Sequence, residues 1–94
     1  MAVKSLVVGQ TGSAVQIAAA QTFARWIVFA NTAAAAMAVA DASVSLTRGV
    51  PLSPSTGTWT APPLADVSQH YDLGQFYSIG TNGQNLTVVY DAML

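Results

Sequence analysis

The chain has 94 residues, of which 52% are hydrophobic and only 7% charged, with a formal net charge of −1 and no cysteine. This balance argues against a nucleic-acid-binding surface of clustered Lys and Arg, and the lack of cysteine excludes disulfides, thiolate zinc sites and thiol nucleophiles. Because soluble domains carry about 25% charged residues, the shortfall predicts that much of the surface faces other protein. A coat of neutral Ser, Thr, Asn and Gln is the alternative that would keep the chain free in solution.

The first part of the chain predicts short strands rather than a targeting segment. "AVKSLVV" (2–8) and "SAVQIA" (13–18) are separated by the turn cluster "GQTG", so these two strands could form a hairpin. The same break interrupts the apolar stretch that a signal peptide needs. Next, "ARWIVFA" (24–30) is almost continuously apolar and predicts the core strand of the fold, buried on both faces or nearly so.

The alanine-rich segment "AAAAMAVAD" (33–41) leaves two conformations open. Its composition favours a helix, which Thr32 could cap, but alanine on every face gives almost no apolar stripe. The same residues suit a strand packed closely against another layer, and strand is our prediction. The uncharged stretch 26–40 is shorter than the roughly 18–20 residues that cross a bilayer, so no membrane span is expected.

The middle of the chain continues the pattern of strands and turns. Residues 43–47 alternate small polar with apolar side chains, which predicts a strand, and "RG" then turns the chain into "VPL" (50–52). The Pro-, Ser- and Gly-rich stretch 53–63 contains one short strand, 58–60. Because the flanking prolines cannot donate ladder hydrogen bonds, we place that strand at a sheet edge.

The last third predicts a closing hairpin. "LADVSQHYDL" (64–73) reads as irregular or as a single helical turn. "QFYSIG" (75–80) and the terminal apolar strand flank Asn82-Gly83, a dipeptide that favours a type I′ turn, so we expect these two strands to pair across it.

About eight short strands separated by turns predict an all-β fold, a small antiparallel β-sandwich or jelly-roll-like barrel formed by residues 1–94 as a single domain. Aromatic and β-branched residues carry most of the apolar area in these strands. The predicted core or interface anchors are Trp26, Phe29, Trp59, Tyr77, Ile79, Val88 and Tyr90, and the predicted turn residues are Gly80, Asn82 and Gly83.

The sequence offers little catalytic chemistry. "DVSQHYD" brings Asp66, Ser68, His70 and Asp72 together, but such a local cluster is more typical of a turn in which Asp and Ser bond backbone amides than of a catalytic triad. One His and four scattered Asp could form at most a weak oxygen-rich metal site. We therefore predict no enzymatic activity, no metal and no cofactor.

Three stretches carry a resemblance: "FANTA" (29–33), "VSLTRGVPLSPSTGTWTAPP" (44–63) and "DLGQFYSIGTNGQNLTVVY" (72–90). Over roughly residues 24–91 the chain resembles the small β-sandwich virion proteins of tailed bacteriophages. The last stretch matches their closing pattern at Asp72, Leu73, Tyr77, Ile79, Gly80, Thr81, Gly83, Leu86, Val88 and Tyr90. The chain departs from the pattern in its alanine-rich segment 33–40.

The resemblance implies a non-enzymatic capsid decoration or cement protein, made in the host cytoplasm and placed on the exterior of the phage head. Its implied partners are the major capsid protein and copies of itself, with no nucleic acid, membrane or small-molecule substrate. A neck, spike or tail-fibre component is the alternative within the virion. A carbohydrate- or receptor-binding module, using Trp59 and the loop of His70 and Tyr71, is the alternative from another class.

Overall fold

The structure, a computed structural model, describes residues 3–64 and 69–93. In that part of the chain nine strands form two antiparallel sheets, which confirms the predicted all-β sandwich. The strands are β1 Val3–Gly9, β2 Val15–Gln16, β3 Phe23–Asn31, β4 Met37–Ala40, β5 Val50–Leu52, β6 Gly57–Ala61, β7 Tyr71–Asp72, β8 Tyr77–Ile79 and β9 Asn85–Ala92. A short 3₁₀ turn, Leu73–Gln75, joins β7 to β8.

The two sheets differ in the length of their strands. Sheet I has the strand order β1-β9-β3-β6, with β7 also pairing with β3, and sheet II has the order β2-β8-β4-β5. The long strands β3 and β9 occupy the centre of sheet I. One extra residue on β3 between Ala24 and Ile27 shifts its register against β9, as in a β-bulge.

The core lies between the facing sides of the two sheets. Sheet I contributes alternate residues of β3 and β9, since side chains along a strand point to opposite faces. The largest side chains with essentially no exposure are Ile27, Phe29, Leu86 and Val88 from sheet I, Met37, Val39 and Leu52 from sheet II, and Leu73 from the 3₁₀ turn. β3 is therefore the core strand, as predicted, but Trp26, Val28 and Ala30 are half-buried, so one face of it is closed and the other is not.

Both predicted hairpins are wrong. β1 pairs with β9 and β2 with β8, so the first two strands lie in different sheets. β8 and β9 are likewise in different sheets, and the Asn82-Gly83 turn carries the chain from one layer to the other. Gly83 has φ +89° whereas Asn82 has no positive φ, which excludes the type I′ conformation that needs both. Two strands that follow each other in the sequence can direct their apolar sides into the same core from opposite sheets. β1 and β2 do so, and so do β8 and β9.

The alanine-rich segment contains no helix. Residues 37–40 form β4, in agreement with the prediction of a strand, and residues 33–35 bend ahead of it. Asn31 holds this bend: its Nδ2 donates to the carbonyl oxygens of Ala35 (2.8 Å) and Leu52 (3.1 Å), and its Oδ1 accepts from the Ala33 amide (2.9 Å). The first three residues of β4 are all buried, so this strand packs closely against its surroundings.

The strand predicted for residues 43–47 is wrong. The segment forms a tight loop in which the backbones of Ser45 and Arg48 bond each other at 3.0 and 3.1 Å. Val44 is buried whereas Leu46, at the loop tip, is 61% exposed, so the alternation in the sequence does not mark one buried face of a strand. Asp41 closes the loop by accepting from the Ser43 amide and from the Arg48 guanidinium, so local polar bonds replace a ladder.

Two smaller predictions concern the edges of the sandwich. β6 is an edge strand of sheet I, as its flanking prolines predicted. In the segment 64–73, the 3₁₀ turn begins at Leu73, and the side chain of the preceding residue, Asp72, caps it. Residues 65–68 of that segment lie outside the described residues.

Candidate interaction surfaces

Two neighbouring rows of uncharged side chains lie on the outer side of sheet I. Cross-strand pairing places Val7, Thr87, Ala30 and Thr58 in one row and Ser5, Val89, Val28 and Thr60 in the next. We call these eight residues the Val/Thr face. Val7 is 65% exposed, and the central positions are half-buried by their β-branched neighbours. A surface of this composition can be desolvated at little cost because it holds no ion to strip of water.

The outer side of sheet II is smaller and also uncharged. Pairing aligns Ile79, Ala38 and Pro51 in one row and Gln16, Tyr77 and Ala40 in the other. We call these six residues the Tyr/Ile face. Tyr77 and Ile79 are half-buried there, and the Gln16 amide is held by the Gly74 carbonyl oxygen at 2.8 Å. The Val/Thr face and the Tyr/Ile face therefore lie on opposite sides of the sandwich, and neither contains a charged side chain. Asp91, in the next row of β9 on the outer side of sheet I, is 3% exposed.

An exposed ion pair lies beside the Tyr/Ile face, outside its two rows. Arg48 donates from both guanidinium nitrogens to Asp41, at 2.7 and 3.1 Å. That hydrogen bond, with a second from the Ser43 amide, lowers the pKa of Asp41, and the same contact raises the pKa of Arg48. Both side chains are more than half exposed, so solvent screens the pair and it shapes the loop more than it stabilises the fold.

An open cleft of about 390 Å³ lies at the end of sheet II next to β7. Its walls combine the rings of His70, Tyr71 and Phe76 with the polar side chains of Asp41 and Asp72. The Tyr71 and Phe76 centroids are 6.2 Å apart. The Tyr71 hydroxyl donates to the Pro62 carbonyl oxygen at 2.7 Å, so this ring is fixed in place. Rings beside acidic and amide groups are typical of a small recognition site.

Comparison with models of protein families, with curated proteins and with solved structures finds no match for this chain in any of the three. The resemblance to phage virion proteins therefore stays a prediction, and function must be argued from the surfaces themselves.

The cluster "DVSQHYD" is only partly described. Asp66 and Ser68 lie outside the described residues. His70 packs its ring against Phe23 at 4.4 Å between centroids, and the two carboxylate oxygens of Asp72 accept from the amides of Gly74 (2.9 Å) and Gln21 (3.2 Å). These two residues have the structural roles expected of a turn.

Residues 3–64 and 69–93 contain no group of three His, Cys, Asp or Glu side chains that could hold a metal ion. Across the same residues, no helix has the length and hydropathy of a bilayer span. The absence of enzymatic activity stays a prediction.

The predicted anchors divide into two groups. Phe29, Val88 and Tyr90 are buried, and the half-buried Trp59 stacks on Phe29 with centroids 5.6 Å apart, so these four belong to the core. Trp59 is therefore not the exposed aromatic that the carbohydrate-binding alternative expected. The other three predicted anchors, Trp26, Tyr77 and Ile79, are half-buried. Their alternation with buried neighbours places them on the outer sides of the sheets.

The predicted turn residues have different roles. Gly83 supplies the positive φ of the turn. Gly80 is buried, and a Cβ there would lie 2.9 Å from Cγ of Met37 and 3.0 Å from Cγ of Gln10. Glycine is thus required at position 80 because there is no space for a side chain where the chain leaves sheet II, and not because the backbone has a positive φ there.

Sequence reasoning missed a buried polar pair that joins the two sheets. Gln10, 3% exposed, and Ser78, fully buried, bond through their side chains at 2.9 and 3.2 Å. The Gln10 amide nitrogen also donates to the Val8 carbonyl oxygen. In the sequence, Gln10 falls within the predicted turn cluster "GQTG". The one signal that could have indicated the pair was a serine within an otherwise apolar strand, "YSI".

Proposed function

We propose that this chain is a structural protein of a phage virion, a decoration or cement protein that binds the head shell through its uncharged sheet faces. The observation that carries the proposal is the pair of outward faces, fourteen residues by the two definitions above, without one charged side chain. Such faces favour contact with protein over solvation.

Assembly on a shell explains how modest surfaces suffice. Each face is small, and a contact of limited area gives weak binding on its own. A symmetric shell repeats the same contact many times, and neighbouring copies then hold one another in place. The fold, the low charge and the two uncharged faces all support this role.

The proposal is tested by the position of the protein in purified particles of the phage whose genome encodes it. We expect hundreds of copies, counted by mass spectrometry and seen by electron cryomicroscopy as ordered density on the head. A handful of copies at the neck or tail would replace it with the connector or fibre alternative, and absence from the particle would overturn the virion assignment.

Charge variants identify which face docks. Thr60→Glu places a carboxylate on the Val/Thr face, and Pro51→Glu places one on the Tyr/Ile face; both positions are exposed. Ser13→Glu, in the exposed loop between β1 and β2, is the matched control. Added to particles lacking the protein, the variant on the docking face should fail to bind while the control binds normally. Equal binding by all three would contradict docking through these faces.

The cleft favours a second candidate, a carbohydrate- or receptor-binding module. Its rings and its acidic and amide groups could stack on and bond a sugar. Titration with a panel of neutral and acidic oligosaccharides, followed by NMR shifts of residues 70–76, tests it. Saturable binding that Gln75→Ala abolishes would support recognition, and no binding at millimolar sugar would remove this candidate.

A further inference from the structure

β1 is a long strand with one free edge. It pairs with β9 over all seven of its residues, and among the residues that the structure describes no strand pairs with its other side. An edge of this kind offers a row of unpaired N–H and C=O groups to another strand.

The other sheet edges are protected in ways that β1 is not. β2 has two residues, and β5 has three, of which Pro51 lacks an N–H. β6 has five residues and runs directly into Pro62-Pro63. β1 has no proline and a single charge, Lys4, and it exposes Val3 by 53% and Val7 by 65%. Shortness and proline are the usual protections of a sheet edge, so β1 is the edge left open.

The hydrogen bonds near the strand ends show which backbone groups are free. The Gln10 amide donates to the Gln84 carbonyl oxygen at 2.8 Å, and its own carbonyl accepts from Gly83, so the backbone of Gln10 faces the β9 side. Since these groups alternate along a strand, Lys4, Leu6 and Val8 also face β9. On β9, the Met93 amide donates to the Phe23 carbonyl oxygen of β3, so the backbone of Met93 faces β3. By the same alternation, the even-numbered residues of β9 face β1, in agreement with the assignment for β1. The groups that point outward are those of Val3, Ser5, Val7 and Gly9.

We propose that β1 pairs with β1 of a second copy of this chain, antiparallel about a two-fold axis at Leu6. In this register Ser5 lies opposite Val7 of the second copy and Val3 opposite Gly9, so the outward groups of each strand meet and can form about eight hydrogen bonds. Leu6, half-buried in one copy, then lies beside its own equivalent, and the two sheets I become one continuous sheet.

The charge on β1 fits this arrangement. Lys4 lies opposite Val8 of the second copy, which places the two lysines about 14 Å apart along the strand direction. That separation exceeds the screening length of about 8 Å at physiological ionic strength, so the lysines do not oppose the pairing. A lysine at position 6, on the two-fold axis, would instead lie directly opposite the same lysine of the second copy.

Sedimentation equilibrium of the isolated protein tests the pairing without any virion. A single strand contact buries less than stable complexes do, so we expect the mass to double from 9.7 kDa between about 1 µM and about 500 µM protein. Amide hydrogen exchange, measured residue by residue, should slow with concentration at Ser5, Val7 and Gly9, while Lys4, Leu6 and Val8 are protected throughout. A constant mass, or a dimer in which the first three amides still exchange fast, overturns the proposal.

Variants separate the edge from the fold. Ser5→Pro removes an outward N–H and should abolish the dimer, whereas Thr58→Pro, which removes an outward N–H on the opposite edge of sheet I, should leave it intact. If Ser5→Pro does not fold, a charge pair replaces it. Ser5→Lys with Val7→Glu should strengthen dimerisation and Ser5→Lys with Val7→Lys should weaken it, because residues 5 and 7 oppose each other between copies. Equal dimerisation of the two double variants would contradict this register.

Discussion

At the scale of single residues, burial separates two aromatic side chains that look alike in sequence. Phe29 is fully buried, with the rings of Trp59 and Phe76 each 5.6 Å away, whereas Trp26, three residues earlier in the same strand, is half-buried beside the bulge. The continuous apolar run concealed this difference, because periodicity has no contrast where every residue is apolar.

Phe29→Ala should cost about 3–5 kcal/mol of unfolding free energy, because it leaves a cavity between two rings in the core. Trp26→Ala should cost about 1–2 kcal/mol, because that side chain is already partly in water. Urea unfolding of both variants measures the difference. Equal destabilisation would show that Trp26 belongs to the core after all.

The Gln10–Ser78 pair should be coupled energetically. Ser78→Ala leaves the buried Gln10 amide short of a partner, and we expect a loss of about 1–3 kcal/mol. Gln10→Leu should do the same to the Ser78 hydroxyl. The double variant should lose less than the sum of the two, and a double-mutant cycle by thermal unfolding measures this coupling. Strict additivity would mean that the pair does not join the sheets.

At the scale of strands, the sequence predicted which segments are extended better than it predicted their partners. β3, β6, β8 and β9 follow from apolar runs, alternation and flanking prolines. Their pairing depends on which layer each strand joins, and this is decided by the packing of residues such as Leu52 and Val88 across the sandwich. The interaction surfaces follow the same rule: Tyr77 and Ile79 were recognised as anchors, but their outward side is known only once β8 is placed between β2 and β4.

Removal of β9 tests the sheet order. Truncation after Asn82 removes the strand between β1 and β3, together with Leu86, Val88 and Tyr90 of the core. We expect a chain without a cooperative thermal transition, since one central strand holds both neighbours. Removal of residues 93–94 alone is the control and should leave the transition in place. A truncated protein that still melts cooperatively would contradict the central position of β9.

At the scale of the whole molecule, the charged side chains of the described residues lie in loops and near the ends of strands, while the Val/Thr face and the Tyr/Ile face carry none. Attachment through these faces should therefore depend little on ionic strength, because screening weakens contacts between charges and not apolar ones. We expect particle binding to change less than about threefold between 0.1 and 1 M NaCl in a co-sedimentation assay. Release at high salt would point instead to Lys4, Arg25 or Arg48 as the contacts.

The position of β9 also sets an order of events during synthesis. β1 and β3 do not pair with each other, because each pairs with β9. The pairing of Val3 with Asp91 joins two residues that are separated by almost the entire sequence. Such distant pairing makes folding slow, because the chain must close its longest loop before sheet I exists. Sheet I therefore cannot form until β9 has been made, and β1 keeps both edges unpaired until then. We expect refolding after dilution from urea, followed by stopped-flow fluorescence, to be slow for a chain of this length, because β9 must dock before either neighbour has a partner.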